Sequence, residues 1–520
     1  MNGFKRVFKQ IAQQTIAMAL MLAPLICLAA TQKGSTARPN ILLIVSEDNG
    51  PDLGCYGNKN VNTPVLDRLA AEGVRFENAF VTYSVCSPSR SSIFTGLYPH
   101  QNGQTGLATH KYHMYPGMVT MPVYLKKAGY RTGCIGKIHV NPESAIPFDF
   151  RPAEQDPLAG DNFSRKNMKA YATVADHFIN NGSDPFFLMV NYPDAHFPFV
   201  TQTEGMPARP LTGDEVSVPP FVGADSKRLR GFTANYYNCM ERLDEMVGDL
   251  LTKLQASGKA ENTLIMYLGD HGAQFSRGKC SNYEAGLKIP LIVKWPGKTA
   301  VAAVRKELVS ALDLLPTILN AARISIPPSL PGKPLQPLLF NKERHILHEY
   351  IFAEGDGSAA MFYYPRRSVR NNRFKLIHNL LFQRENPKFY YYANNIGHFG
   401  AGTRQQEIEA SPAVVQNAYA TWKHPPEFEL YDLEKDPYEF HNLSANPHYA
   451  KVLHNLKKVL FKWQQQTADP LSDKNILDRF TQEVDSVNQA YPGHDYPKDP
   501  NFQWRYPVYF FDYIKSRARD

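Results

Sequence analysis

Two apolar runs that end in acidic residues constrain the fold more than any other feature of the chain. NILLIVSEDNG (Asn40–Gly50) and NTLIMYLGDHG (Asn262–Gly272) are nearly continuous in Ile, Leu, Val and Met, then close on Glu47-Asp48 and Asp270-His271. A strand buried on both faces reads this way, which predicts a largely parallel sheet covered by helices. Between the runs, TPVLDRLAAEG opens on Thr63-Pro64, sets Leu66, Leu69 and Ala70 on one face, and stops at Gly73, so it predicts a helix. MPVYLKKAGYRTGCIGKIHV repeats helix then strand, DPFFLMVNYPDAHFPF is a further strand with a polar end, and Phe232–Gln255 has the period of an amphipathic helix. The predicted class is α/β, a large mostly parallel sheet sandwiched by helices. Ligands of such sheets bind beyond the carboxyl ends of the strands, where Glu47, Asp48, His196, Asp270 and His271 converge.

Past the Pro-rich segment ISIPPSLPGKPLQPLLF the character changes. RRSVRNNRFKLIHNL predicts strands turning at Asn371-Asn372, FELYDLEKDPYEFHNLS a further turn region, and YAKVLHNLKKVLFKWQQQ a helix. We therefore expect a larger α/β part over residues 38–364, the one that carries the acidic strand ends. A smaller C-terminal α+β part on an antiparallel sheet follows over 365–520, its aromatic tail wrapping the surface. Residues 1–30 predict an export signal: Lys5, Arg6 and Lys9 precede the apolar run Thr15–Ala30, which is short and interrupted by Pro24. A membrane anchor is the alternative reading. No later run is apolar enough to span a bilayer. Removing the signal removes Cys27 and leaves Cys55, Cys86, Cys134, Cys239 and Cys280, an odd set whose pairing is open. The formal charge of +8 favours anionic partners, but no Lys/Arg run suggests a nucleic-acid groove.

Glu47, Asp48 and Asp270 at neighbouring strand ends would repel one another unless a cation sat between them, and a hard divalent ion is the usual solution. Around them the sequence offers Arg90, Lys137, His139, His196 and Lys279. If the backbone after the strand stays extended, Lys137 and His139 face the same way. A metal with these cations suits a tetrahedral oxyanion, sulfate or phosphate.

CSPSRSSIFTG, starting at Cys86, resembles the C-x-P-x-R…Thr-Gly signature of the formylglycine-dependent sulfatases, of the alkaline phosphatase superfamily. GKIH, DAH, GDHG and GK follow in that family's order. Within it, TGLYPHQNGQTGL, RTGCIGKIHVNPESAIPFDF, YPRRSVRNNRFKLIHNL and FELYDLEKDPYEFHNLS are similar to the heparan N-sulfatases, the sulfamidase branch. The resemblance implies an alkaline-phosphatase-like fold, an exported sulfuric ester hydrolase, and oxidation of Cys86 to formylglycine by a maturase. The hydrated aldehyde attacks sulfur and later expels sulfate. The resemblance further implies that Arg90 and Lys137 hold the formylglycine oxygens, that His139 assists proton removal and sulfate release, and that His196 and Lys279 bind the sulfo group, one of the two protonating the leaving oxygen or nitrogen. Glu47, Asp48, Cys86, Asp270 and His271 match the ligands of one divalent ion, calcium. The implied substrate is a sulfated oligo- or polysaccharide of carrageenan, ulvan or heparan type.

Three departures accompany the resemblance. Glu47-Asp48 stands where the family usually has Asp-Asp. Asp270-His271 often reads Asp-Asn there, and histidine offers calcium a nitrogen. The His-Glu pair that sulfamidases carry before Tyr-Pro-x-Arg is missing from AEGDGSAAMFYYPRRS. N-sulfate and O-sulfate therefore both stay open, as do a phosphate or phosphonate ester hydrolase and a non-catalytic glycan-binding relative.

Overall fold

The computed structural model describes residues 38–340 and 345–517. The expected export signal lies outside them. Seven strands form the main sheet: β1 (Asn40–Ser46), β2 (Val74–Phe80), β3 (Arg131–Ile135), β4 (Phe186–Tyr192), β5 (Thr263–Gly269), β6 (Lys288–Lys294) and β7 (Ala303–Ser310). Their order is β3-β4-β1-β5-β6-β2-β7. β1 sits centrally and pairs parallel with β4 and β5, and β3 pairs parallel with β4. β6 runs against both β5 and β2, so it alone is reversed, and β7 runs parallel with β2. Every residue of β1, β4 and β5 is buried, as their unbroken apolar runs require.

Helices cover both faces. The predicted helix after Thr63 is α1 (Pro64–Ala71), with Leu66, Leu69 and Ala70 buried. It ends before Gly73, where a Cβ would lie 2.5 Å from the Val293 carbonyl oxygen. CSPSRSSIFT forms α2 (Cys86–Thr95), closed by Gly96 at φ 69°. The long amphipathic helix α3 (Lys227–Ala256) begins five residues earlier than its periodicity suggests, because the Ser226 side chain accepts from Leu229 N and caps it.

A second sheet, order β11-β10-β9-β8, is wholly antiparallel and comprises β8 (Ile351–Gly355), β9 (Arg366–Arg370), β10 (Phe374–Asn379) and β11 (Phe428–Asp432). The turn at Asn371-Asn372 is where the sequence puts it. FELYD, read as part of a turn region, is instead an edge strand fully buried against its neighbours. The helices α4 (Pro387–Ala393) and α5 (Ala450–Gln466) join this part of the chain. The tail does more than wrap the surface. Trp504, Tyr506 and Phe510 are buried with Phe480, Tyr112 and Tyr115 in one aromatic cluster, and a helix spans Tyr506–Arg517. So many large rings bury too much apolar area to lie in solvent. Among the described residues no helix is long and apolar enough to cross a membrane, and the five cysteines are all free.

Candidate active site

The carboxyl ends of β1, β4 and β5 meet the N-terminus of α2, and there the chain collects its charged groups. Glu47 and Asp48 leave β1, and Asp48 turns sharply at φ 50°. Its N–H donates to Asp270 Oδ1 at 3.0 Å, which ties the two acidic strand ends together. Cys86 is the first residue of α2, and Val85 before it offers no side-chain cap. The positive end of the helix therefore falls at Cys86, a favourable place for an anion. Cys86 Sγ lies 3.3 Å from His271 Nε2 and 3.9 Å from Asp48 Oδ1. Ser89, one turn on, donates to the Asp270 carbonyl at 2.5 Å and holds α2 against β5.

Each carboxylate faces a cation. Arg90 Nε donates to Asp270 Oδ2 at 3.0 Å, and its Nη1 to the Lys137 carbonyl and to Asn191 Oδ1. Lys137 Nζ donates to Glu47 Oε2 at 2.8 Å, and Lys279 Nζ to Asp48 Oδ2 at 2.6 Å. Glu47, Asp48, Asp270, His271 and Arg90 are wholly buried. Burial pushes the Glu47 carboxyl up to about 7 although Lys137 and Arg90 pull it down. Burial also acts to raise Asp270, but His271, Arg90 and Lys137 outweigh it and hold that carboxyl low. Burial lowers and Asp48 and Cys86 raise the Lys279 ammonium, and the negative neighbours win.

The histidines divide into two kinds. His271 Nδ1 meets the Gly272 carbonyl at 3.0 Å, so Nδ1 carries a proton and Nε2 points at Asp48 Oδ1, 3.2 Å away. Burial opposes a charge on His271, but Asp270, Asp48 and Cys86 raise it to about 9. His196 Nδ1 likewise meets the Phe197 carbonyl at 2.6 Å, which turns Nε2 toward Asp48 Oδ2 at 3.8 Å. His139 has no hydrogen-bond partner on either ring nitrogen. Burial, then the neighbouring lysines, hold both His196 and His139 well below the usual imidazole range.

Every sequence-predicted site residue therefore comes to this one place. Lys137 and His139, however, do not reach it by strand alternation. The backbone is not extended there: Gly136 has φ 87° and His139 φ 56°, so a turn rather than strand alternation delivers both side chains.

Two sets of donor atoms could hold a metal ion: Glu47, Asp48, Cys86 and His196, or Asp48, Cys86, Asp270 and His271, each set within 4.8 Å of one another. Glu47 Oε1 is buried and accepts no hydrogen bond, with Arg90 Nη2 3.7 Å away. A cluster that draws a proton onto His271 would draw a cation, and carboxylate oxygens suit a hard one.

Sequence reasoning missed several supporting residues. Asn191, which fixes Arg90, was detectable as the lone polar side chain in an apolar strand. Asp194 anchors Arg165 and Arg242. Phe163 stacks on His196 with ring centroids 4.1 Å apart and carries Lys137 Nζ 4.8 Å over its face. His398 packs edge-on against His196 at 5.7 Å. Nothing in its polar loop announces it.

A model of the sulfatase family matches residues 39–324, and one for the C-terminal region of N-sulphoglucosamine sulphohydrolase matches residues 269–395. Human N-sulphoglucosamine sulphohydrolase is 33% identical over 84% of this chain and 91% of its own length. An ulvan-active sulfatase of Formosa agariphila is 29% identical over 84% of this chain and 82% of its own. Among solved structures, one of a protein in complex with its substrate D-glucosamine-2-N,6-O-disulfate superposes with TM-score 0.62 at 20% identity, covering 82% of this chain and 98% of that one. A 2-O GAG sulfatase superposes with TM-score 0.64 at 22% identity, covering 83% and 93%. With a family model matching more than half its length and a relative at this identity aligned over most of both chains, the chain belongs to the sulfatase family, the sulfuric ester hydrolases of alkaline-phosphatase-like fold.

Proposed function

We propose that this sulfatase is exported and removes sulfo groups from a sulfated glycan, using formylglycine made from Cys86 by a maturase and one divalent cation. The observation that carries the reading is the ring of buried cations and carboxylates around Cys86 at the head of α2. The names of the relatives, a sulphoglucosamine sulphohydrolase and an ulvan-active sulfatase, support a sulfated saccharide. Residues 38–364 would be the catalytic part and 365–520 the smaller one, with β8 crossing that boundary to complete the second sheet.

Formylglycine at position 86 would supply a hydrated aldehyde, whose one hydroxyl attacks sulfur and whose other expels sulfate. Glu47, Asp48, Asp270 and His271, with position 86, would hold the cation, calcium by its carboxylate-rich donors, which when bound polarises the nucleophile and screens sulfate charge. The chain's own groups do the rest. Arg90, fixed by Asp270, Asn191 and the Lys137 carbonyl, would orient the side chain at position 86 together with Lys137. His139, with both nitrogens uncommitted, would accept and return a proton there. His196 would bind the sulfo group through Nε2, its ring fixed by Phe163 and the Phe197 carbonyl. Lys279, kept protonated by Asp48, has the proton to give to the leaving oxygen or nitrogen.

The test is a panel of N- and O-sulfated oligosaccharides, each paired with its phosphate counterpart where one exists, scored for released anion. Sulfate release from at least one saccharide is expected. Faster turnover of the phosphate counterparts would overturn the reading.

A further inference from the structure

Beside this site, the second sheet and the neighbouring helix α4 each hold a buried cation that no carboxylate hydrogen-bonds. Arg366 opens β9 and is 4% exposed, yet its Nε and Nη2 are buried and donate no hydrogen bond. Its guanidinium lies over the Tyr364 ring at 5.2 Å, and the Tyr364 hydroxyl is itself buried and unpaired. Lys388 on α4 is 1% exposed. Among the described residues its ammonium makes no hydrogen bond or ion pair. Burial lowers Lys388 to about 8, Cys280 acts to raise it, Arg366 is close enough to lower it further, and Asp356 acts more weakly to raise it. The adjacent residue Arg367 shows what this fold does with a structural arginine. It carries Asp469 on two bonds, at 2.8 and 2.9 Å, and a third to Asp356.

The pair adjoins the reaction centre. Tyr392, one turn after Lys388 on the same face of α4, donates to the Lys279 carbonyl at 3.0 Å. Cys280, next along, is flanked by both Lys279 and Lys388. The loop after β8 closes the other side. The N–H groups of Asp356 and Gly357 donate to the Tyr83 hydroxyl, and Leu107 N donates to the Ser358 carbonyl, so the loop is pinned against the segment that leads into α2. Asp356 Oδ2 is buried and unpaired there.

Burying a guanidinium or ammonium that no acceptor meets is unfavourable unless something anionic joins it. Local rules of this kind are broken at functional sites. We propose that Arg366, Lys388 and the Tyr364 hydroxyl form a second anion subsite, which receives a carboxylate or an additional sulfate of the saccharide whose sulfo group lies at Cys86. Asp356 Oδ2 would accept from a hydroxyl of the same sugar. This deepens the proposed function, and it makes the substrate polyanionic: a singly sulfated neutral sugar leaves the two cations empty.

The experiment measures equilibrium binding to Cys86→Ala protein, so that it does not depend on turnover. Three ligands are compared: a monosulfated neutral disaccharide, its disulfated counterpart, and one bearing a uronate beside the sulfated residue. Tighter binding of the disulfated or the uronate ligand identifies which anion enters. Adding Arg366→Met or Lys388→Met should then weaken that ligand by about tenfold or more, the worth of a charged hydrogen bond, and narrow its advantage over the monosulfate. Thermal unfolding should show both variants as stable as the parent or more so, because each loses an unpaired buried charge. Equal affinity for all three ligands, or an advantage that survives both substitutions, overturns the subsite. So does a large loss of stability in both variants. Failure of the sulfatase reading shows separately, as absence of sulfate release by the unsubstituted protein.

Discussion

Asp194→Asn is the perturbation whose size the structure sets most directly. The carboxylate accepts from Arg242 Nε and Nη2 at 2.7 Å each and from Arg165 Nε at 3.2 Å, and all three side chains are wholly buried. Its main chain brackets Glu47: Glu47 N donates to the Asp194 carbonyl at 3.0 Å, and Ala195 N returns a bond to the Glu47 carbonyl at 2.6 Å. The amide keeps the shape and removes the charge, stranding two guanidiniums. Breaking a buried pair this way costs about 3–5 kcal/mol. For the body Pro39–Asp520, unfolding entropies of about 2.1 cal/mol/K per residue amount to roughly 1 kcal/mol/K. The calorimetric midpoint should therefore fall by about 3–5 °C. The sign with pH follows. Burial alone would raise Asp194, but Arg242 and Arg165 hold it below the usual carboxylate range. Its contribution is complete above the unfolded carboxylate value and is lost as pH falls through the folded one. The gap between parent and variant should be constant from pH 8 to about 5 and close below about pH 4. A shift under about 1 °C at neutral pH, or a gap that widens on acidification, would refute the reasoning.

Lys137→Met removes the cation that holds Glu47 and should lower kcat on an aryl sulfate by about 10²–10³ with a smaller change in KM; steady-state kinetics decide it, and an unchanged kcat would remove Lys137 from the machinery. Chelation should slow hydrolysis and added calcium restore it, while full activity after metal analysis reads zero would defeat the assignment of Glu47, Asp48 and Asp270. Phe510→Ala opens the aromatic cluster under the tail and should cost about 3–5 kcal/mol. Limited proteolysis should then cut first within the last helix, and uniform resistance there would contradict the packing.

Most of the site was legible because its chemistry is written at strand ends. An apolar run that stops on Glu47-Asp48 or Asp270-His271 announces both a buried strand and a polar place beyond it. The α2 signature needs no tertiary knowledge either. What could not be read depends on contacts far apart in the sequence. KIPLIVK looks like any buried strand, and nothing local says that β6 runs against its neighbours. FELYD was hidden by the turn residues that follow it. Asp194 stands within a motif already singled out, but its partners Arg165 and Arg242 come from a loop and a helix that only folding brings together. His398 and the Arg366–Lys388 pair lie in the half of the chain where the motifs are fewest, and they matter only because the second sheet abuts the first.

The most direct test of the central claim joins one mass measurement to one rate. The protein is produced with a formylglycine-generating maturase, the peptide containing Cys86 is weighed, and sulfate release from a sulfated saccharide is followed on the same sample. The account predicts formylglycine at position 86, activity in proportion to its fraction, and none in Cys86→Ala of intact fold. Turnover by protein whose Cys86 is wholly unmodified would contradict it.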